Sequence, residues 1–175
     1  MKHIVGVADC GVSADPDDTL ITHALGSCLG ITAHDADAGV AGLLHVMMPL
    51  SEVNEEKAKL NPFMFVDTGM PRFIEQLEQA GARLRKMRIM VAGGASVHKS
   101  TGDRFAIGKR NMVVFKRIMW AKGLLIAAED VGGSRARTMR LFVDTGRVIV
   151  SSGSEEWDLQ PSDAGRDRGR TRDVA

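Results

Sequence analysis

Apolar residues recur along this chain with two periods, one of about two residues and one of three to four, and the switches between them mark out strands and helices. Residues 3–8 form a β-branched stretch that predicts a first strand, and Asp15-Pro16-Asp17-Asp18 is a turn cluster that ends the first excursion. Residues 19–25 and 28–34 each predict a strand, with Gly26-Ser27 as a kink between them. Residues 35–39 then predict a reversal into a strand over 40–48, which Pro49 closes because proline cannot donate to a ladder. The polar stretch 51–61 predicts a surface loop of a length that is often functional.

Two segments carry the helical period. In the first, Pro71 suits an early-turn position, Phe73, Ile74, Leu77 and Ala80 share a face, and Gly81 supplies a stop. In the second, residues 109–122, Met112, Phe115, Ile118 and Met119 recur at three- and four-residue spacing, Lys109, Lys116 and Lys122 take other faces, and Gly123 caps. An apolar run short enough for a buried strand follows each helix, at 89–92 and 124–128. Residues 141–150 predict a hairpin with Gly146 where positive φ is needed. The expected fold class is layered α/β (α+β), a strand-rich core with two main helices.

Composition narrows this further. A chain of 175 residues with 44% hydrophobic residues suits one domain, expected over 1–153. Apolar residues nearly vanish from 154 to 175, so that segment is expected to be a disordered charged tail. Lys+Arg number 23 against Asp+Glu 22, a net charge of +1 that favours neither nucleic acid nor anionic lipid. No apolar run reaches the roughly 18 residues of a membrane span or resembles a signal-peptide core, so a cytoplasmic protein without membrane insertion is expected. The two cysteines, Cys10 and Cys28, are then expected to stay reduced.

Candidate chemistry centres on Cys28. A free cysteine is more often core than catalytic, and that is the reading for Cys10. Cys28 differs because Gly26 permits a sharp bend and leaves room for a substrate, while N–H groups around Gly26, Ser27 and Cys28 lose ladder partners and suit an oxyanion. A thiol nucleophile needs a base. If the hairpin is centred between Ala36 and Asp37, Cys28 lies directly opposite His45, within reach of proton transfer. Thr22 shares strand parity with Cys28, and its hydroxyl would orient the imidazole or the substrate. A lowered Cys28 pKa, with alkylation faster than at Cys10, is expected. His3, His23, His34 and His98 are assigned structural roles, and ligand pairs with zinc spacing are absent, so neither metal nor cofactor is expected. Gly93-Gly94-Ala95-Ser96 lacks the remainder of a phosphate loop and is expected to line or pack against the pocket.

Ala24-Leu25-Gly26-Ser27-Cys28 with His45-Val46-Met47-Met48-Pro49 resembles the signature of the CheD family of chemoreceptor glutamine deamidases. Further blocks resemble the family in family order: Val66-Asp67-Thr68-Gly69-Met70-Pro71, Ala92-Gly93-Gly94-Ala95, Ile107-Gly108-Lys109-Arg110-Asn111 and Glu129-Asp130-Val131-Gly132-Gly133-Ser134-Arg135. The resemblance implies a Thr/Cys/His site at Thr22, Cys28 and His45, and a layered fold like the deamidase domain of certain bacterial toxins. It implies hydrolysis of protein glutamine to glutamate, with methyl-accepting chemotaxis receptors as substrates and the phosphatase CheC as a partner of some members. Two other readings stay open: another cysteine amidohydrolase or peptidase using the same acyl chemistry, and a non-catalytic chemotaxis regulator that acts by binding a receptor or CheC.

Overall fold

Side chains alternate between the faces of a strand, and here two sets of five strands use that alternation to share one apolar interface. The computed structural model describes residues 1–96 and 106–161. In chain order the strands are β1 (Lys2–Ile4), β2 (Asp9–Ser13), β3 (Thr19–Leu25), β4 (Leu29–Asp35) and β5 (Val40–Val46). They continue as β6 (Arg88–Gly93), β7 (Ile126–Val131), β8 (Arg137–Phe142), β9 (Val148–Ser152) and β10 (Glu155–Asp158). The helices are α1 (Glu55–Leu60), α2 (Val66–Gln79) and α3 (Ile107–Ala121). One sheet has the order β1-β3-β8-β9-β10 and the other β2-β5-β4-β6-β7. The pairs β1/β3 and β6/β7 are parallel and the rest antiparallel.

This strand-rich α/β layering matches the expected class. Leu29, Ile31 and Ala33 of β4 pack with Phe73 and Leu77 of α2 and Phe115 of α3, in the core between the second sheet and the helices. Between the sheets, Leu20, Leu25, Met139, Leu141 and Val150 meet Ala41, Leu43, Met90 and Ala92. Strands β4 and β5 are buried at every position, which explains their nearly continuous apolar sequence. Gly42 lets α2 lie close: a Cβ there would stand 2.7 Å from Phe73 Cε2 and 2.9 Å from Leu77 Cδ2.

Several boundaries differ from the sequence expectation, each for a local reason. The strand over 3–8 is only β1, after which the chain crosses to the other sheet as β2. The loop over 51–61 contains α1, whose N-cap Asn54 accepts from Lys57 N at 3.0 Å. Helix α2 begins at Val66, ahead of Pro71, because Val66 N and Asp67 N find the carbonyls of Met48 and Pro49. The segment from 154 onward is not all tail, since 155–158 is β10 and Leu159 is buried. Its charges occupy an edge, where Arg135, Arg140 and Arg147 pair with Glu155, Glu156 and Asp158. The remaining tail, 162–175, lies outside the described residues.

The β4/β5 register also corrects an expectation. Gly30, not Cys28, lies opposite His45, and the closing pair is Asp35↔Val40. Asp35 Oδ1 accepts from Asp37 N at 3.1 Å and Ala38 N at 3.2 Å, and Gly39 takes φ 67°, so the reversal spans 36–39. The shift moves each partner by two residues and therefore preserves face parity. Asp35 is buried, and hydrogen bonds from the Arg83 side chain above all hold its carboxyl well below the ordinary carboxylate range.

Two outcomes follow from this packing. Gly42→Ala should lower stability by about 1–3 kcal/mol, read as a lower urea midpoint at unchanged slope; an unchanged midpoint would refute the close α2 contact. Asp35 gains its stabilising charge only while ionised, so its contribution is complete above the unfolded value of about 3.9 and is lost as pH falls below it. Thermal unfolding between pH 7 and pH 3, taken as an order-of-magnitude window around that value, should show a smaller acid loss in Asp35→Asn than in the parent.

Candidate active site

Inward-facing positions of the two sheets bring Thr22 and His45 together. Thr22 lies on β3 and His45 on β5, both fully buried, with Thr22 Oγ1 2.7 Å from His45 Nδ1. Thr22 Oγ1 also donates to the carbonyl of Val5 at 2.8 Å. A hydroxyl has one proton, so with that proton on Val5 O the imidazole must donate from Nδ1, leaving Nε2 as a bare acceptor. Nε2 is buried and has no hydrogen-bond partner among the described residues. Burial pushes the His45 pKa down to about 4, so the ring is neutral at pH 7. Opposite it stands Gly30, where a Cβ would come within 2.7 Å of Leu25 Cδ1 and 3.1 Å of Met139 Sδ.

Cys28 follows a turn built differently from the sequence expectation. The left-handed residue is Ala24, at φ 58°, rather than Gly26, and the β3/β8 ladder shifts between Thr22 and Leu25. Gly26 N then donates to Ala24 O at 2.9 Å. Three consecutive carbonyls beyond it are pinned. Gly26 O accepts from Ala95 N and Cys28 O from Gly94 N, both at 2.8 Å, and Ser27 O accepts from Asn111 Nδ2 at 2.9 Å. The Gly93-Gly94-Ala95 segment thus packs against the cysteine turn, as the sequence suggested. Gly93, at φ 114°, leaves no room for a Cβ against Cys28 O.

The N–H groups of Ser27 and Cys28 are bonded to no acceptor among the other described residues. Cys28 is half-buried, and burial raises its thiol pKa while its own backbone N–H works in the opposite direction. The expected lowered pKa is therefore absent: the resting pair is a thiol and a neutral imidazole. Cys10 is still less reactive, with Sγ donating to Gln76 Oε1 at 2.8 Å and burial pushing its pKa up to about 12.

Thr22 and His45 meet at the sheet interface, and Cys28 lies two residues before Gly30, the ladder partner of His45, on the parity of the same face. Asn111 is the residue that sequence reasoning missed. It is buried on α3 and bonds Met47 O at 3.0 Å as well as Ser27 O. Its signal was an amide on the apolar stripe of Gly108, Met112 and Phe115. His3 pairs with Asp18, His23 meets Thr138 and His34 meets Val143 O, while His98 lies outside the described residues. Among the described residues no three His, Cys, Asp or Glu side chains converge as metal ligands, and no helix is long and apolar enough to cross a membrane.

Thr22→Val keeps the volume but strands both His45 Nδ1–H and Val5 O in the interior. It should lower stability by about 1–3 kcal/mol, with Thr22→Ser recovering much of the loss in the same denaturation experiment. Equal stability of Val and Thr would contradict the bridging role.

The family model described as CheD chemotactic sensory transduction matches residues 47–152, so Thr22, Cys28 and His45 precede the matched region. Similar curated proteins cover these positions too. A probable chemoreceptor glutamine deamidase CheD of Solibacter usitatus is 42% identical over 159 residues, 91% of this chain and 94% of that protein. A second, CheD 2 of Anaeromyxobacter dehalogenans, is 42% identical over 151 residues, 86% of this chain and 94% of that protein. A third, from Methanococcus maripaludis strain C5, is 36% identical over 151 residues, covering 86% and 95%. By the family match and by these near full-length likenesses, the chain belongs to the CheD family.

Proposed function

We propose that this protein hydrolyses glutamine side-chain amides of chemoreceptors to glutamate, with Cys28 as nucleophile, His45 as base and Thr22 as the group that orients His45. The observation that carries the reading is the Thr22–His45 contact, which leaves Nε2 bare at the end of the interface where the cysteine turn lies. The names of the relatives, probable chemoreceptor glutamine deamidases, supply the substrate class. A chemoreceptor's cytoplasmic region is accordingly the substrate and the cytoplasm the compartment. CheC enters as a regulatory partner through the family likeness.

The chemistry needs no group beyond these side chains and water. His45 Nε2 takes the Cys28 thiol proton as Sγ bonds to the glutamine Cδ. The N–H groups of Ser27 and Cys28 hold the resulting oxyanion. As the tetrahedral species collapses, the C–N bond breaks and Nε2–H gives its proton to the leaving nitrogen, releasing ammonia. Water then attacks the thioester carbonyl with its proton passing to Nε2. The C–S bond breaks, glutamate leaves, and the sulfur recovers the proton. The imidazolium exists only transiently, and Thr22 Oγ1 accepts from its Nδ1–H throughout.

Incubation with a purified receptor cytoplasmic fragment should release ammonia and convert glutamine to glutamate in the mass spectrum, without cleavage or crosslinking. Cys28→Ala should abolish the conversion, and His45→Ala should reduce it by roughly 10²–10⁴-fold. Full activity in Cys28→Ala would overturn the nucleophile assignment, and fragment cleavage would point to a peptidase.

A further inference from the structure

The carbonyls of Gly26 and Cys28 are held by backbone amides of the 94–95 segment, but the one between them, Ser27 O, is held by a side chain. That side chain is Asn111, fully buried on α3, and its amide nitrogen spends both protons on main-chain carbonyls: Ser27 O at 2.9 Å and Met47 O at 3.0 Å. Ser27 immediately precedes Cys28, and Met47 lies two residues beyond His45. One planar amide therefore ties the turn that carries the thiol to the end of the strand that carries the imidazole. Helix α3 comes close enough to do this because Gly108, one turn earlier, lies against the backbone of Gly94 with no space for a Cβ.

We propose that Asn111 is a positioning residue, which sets the direction of the Ser27–Cys28 peptide, and hence of the Cys28 N–H, relative to His45. The inference rests on the proposed deamidase reaction for its catalytic meaning, but its structural content stands apart from it. No peptide bond among the described residues is cis, and across a trans peptide the C=O and N–H point in opposite directions. Drawing Ser27 O toward α3 thus turns the Cys28 N–H away from α3, and that N–H is bonded to no acceptor among the other described residues. An oxyanion donor works only when it is preorganised. Asn111 Oδ1 is itself buried with no partner among the described residues, and an isolated buried acceptor destabilises a fold. An apolar residue would suit this helix stripe better if packing alone mattered. The amide is explained by its two donors.

The test uses Asn111→Leu and Asn111→Asp, the second matching the original in size while its buried carboxyl, kept neutral beside two carbonyls, has at most one proton to donate where the amide has two. The chain has 2 cysteines, so ¹⁵N-cysteine labelling yields one amide resonance for Cys28 and one for Cys10 as internal control. In both variants the Cys28 amide should move while that of Cys10 stays, and kcat on a receptor fragment should fall by roughly 10–10²-fold with KM unchanged. If Asn111→Leu does not fold, Asn111→Asp decides alone. Wild-type kcat in a folded variant, or an unmoved Cys28 resonance, overturns the proposal. Unfolding of both variants also overturns it, by making Asn111 a residue of the core. Were the parent inactive on the fragment, the deamidase reading would fail, while the Cys28 resonance would still decide the positioning role.

Discussion

A neutral imidazole held between two sheets is the constraint around which this structure is arranged. His45 can be buried at that depth because it is uncharged, and it stays uncharged because the interface keeps water from an imidazolium. The Thr22 hydroxyl on the facing sheet gives Nδ1 its one partner and is itself anchored on Val5 O. Both sheets must therefore pack in one register for the Thr22–His45 contact to form. The apolar contacts of Leu20, Leu25, Met139 and Leu141 with Ala41, Leu43 and Met90 supply the force that brings them together. Gly30, opposite the ring, keeps that packing free of overlap.

The turn that carries Cys28 is placed by a second set of constraints, almost all of them main-chain. A left-handed Ala24 breaks β3, and the glycines at 93, 94 and 108 let the 94–95 segment and α3 close in on the turn. Among the described residues, two buried polar atoms, His45 Nε2 and Asn111 Oδ1, are left without partners. Each unsatisfied group opposes folding by about 1–3 kcal/mol, and both belong to residues whose remaining side-chain polar atom, His45 Nδ1 or Asn111 Nδ2, is engaged. Such exceptions gather at sites where geometry serves chemistry more than stability.

Much of this was legible in the sequence, and what was not has identifiable physical causes. Strong apolar runs located β3 to β6 and both main helices to within a few residues, because buried strands and amphipathic helices leave unambiguous periods. The hairpin register was displaced because the side chain of Asp35, not the apolar pattern, decides where the reversal closes. Strand β10 reads as tail because an edge strand can be built from charges that pair with arginines on its neighbours. Within the candidate site, residue type and parity singled out Cys28 and His45, and parity alone singled out Thr22, which the structure brings into contact with His45. Asn111 escaped because an amide on an apolar helix stripe marks a buried polar group without telling that its partners are the main-chain carbonyls of Ser27 and Met47. The thiol's pKa was misjudged for a related reason: desolvation depends on packing that only the fold defines.

The account stands or falls on the protonation state of His45. An NMR titration of its ring nitrogens in the intact protein is the most direct measurement. The structure predicts a neutral ring carrying its proton on Nδ1 at pH 7, titrating near 4. A ring that titrates at or above the ordinary histidine value of about 6.5 would mean that burial does not hold the imidazole neutral and would contradict this account.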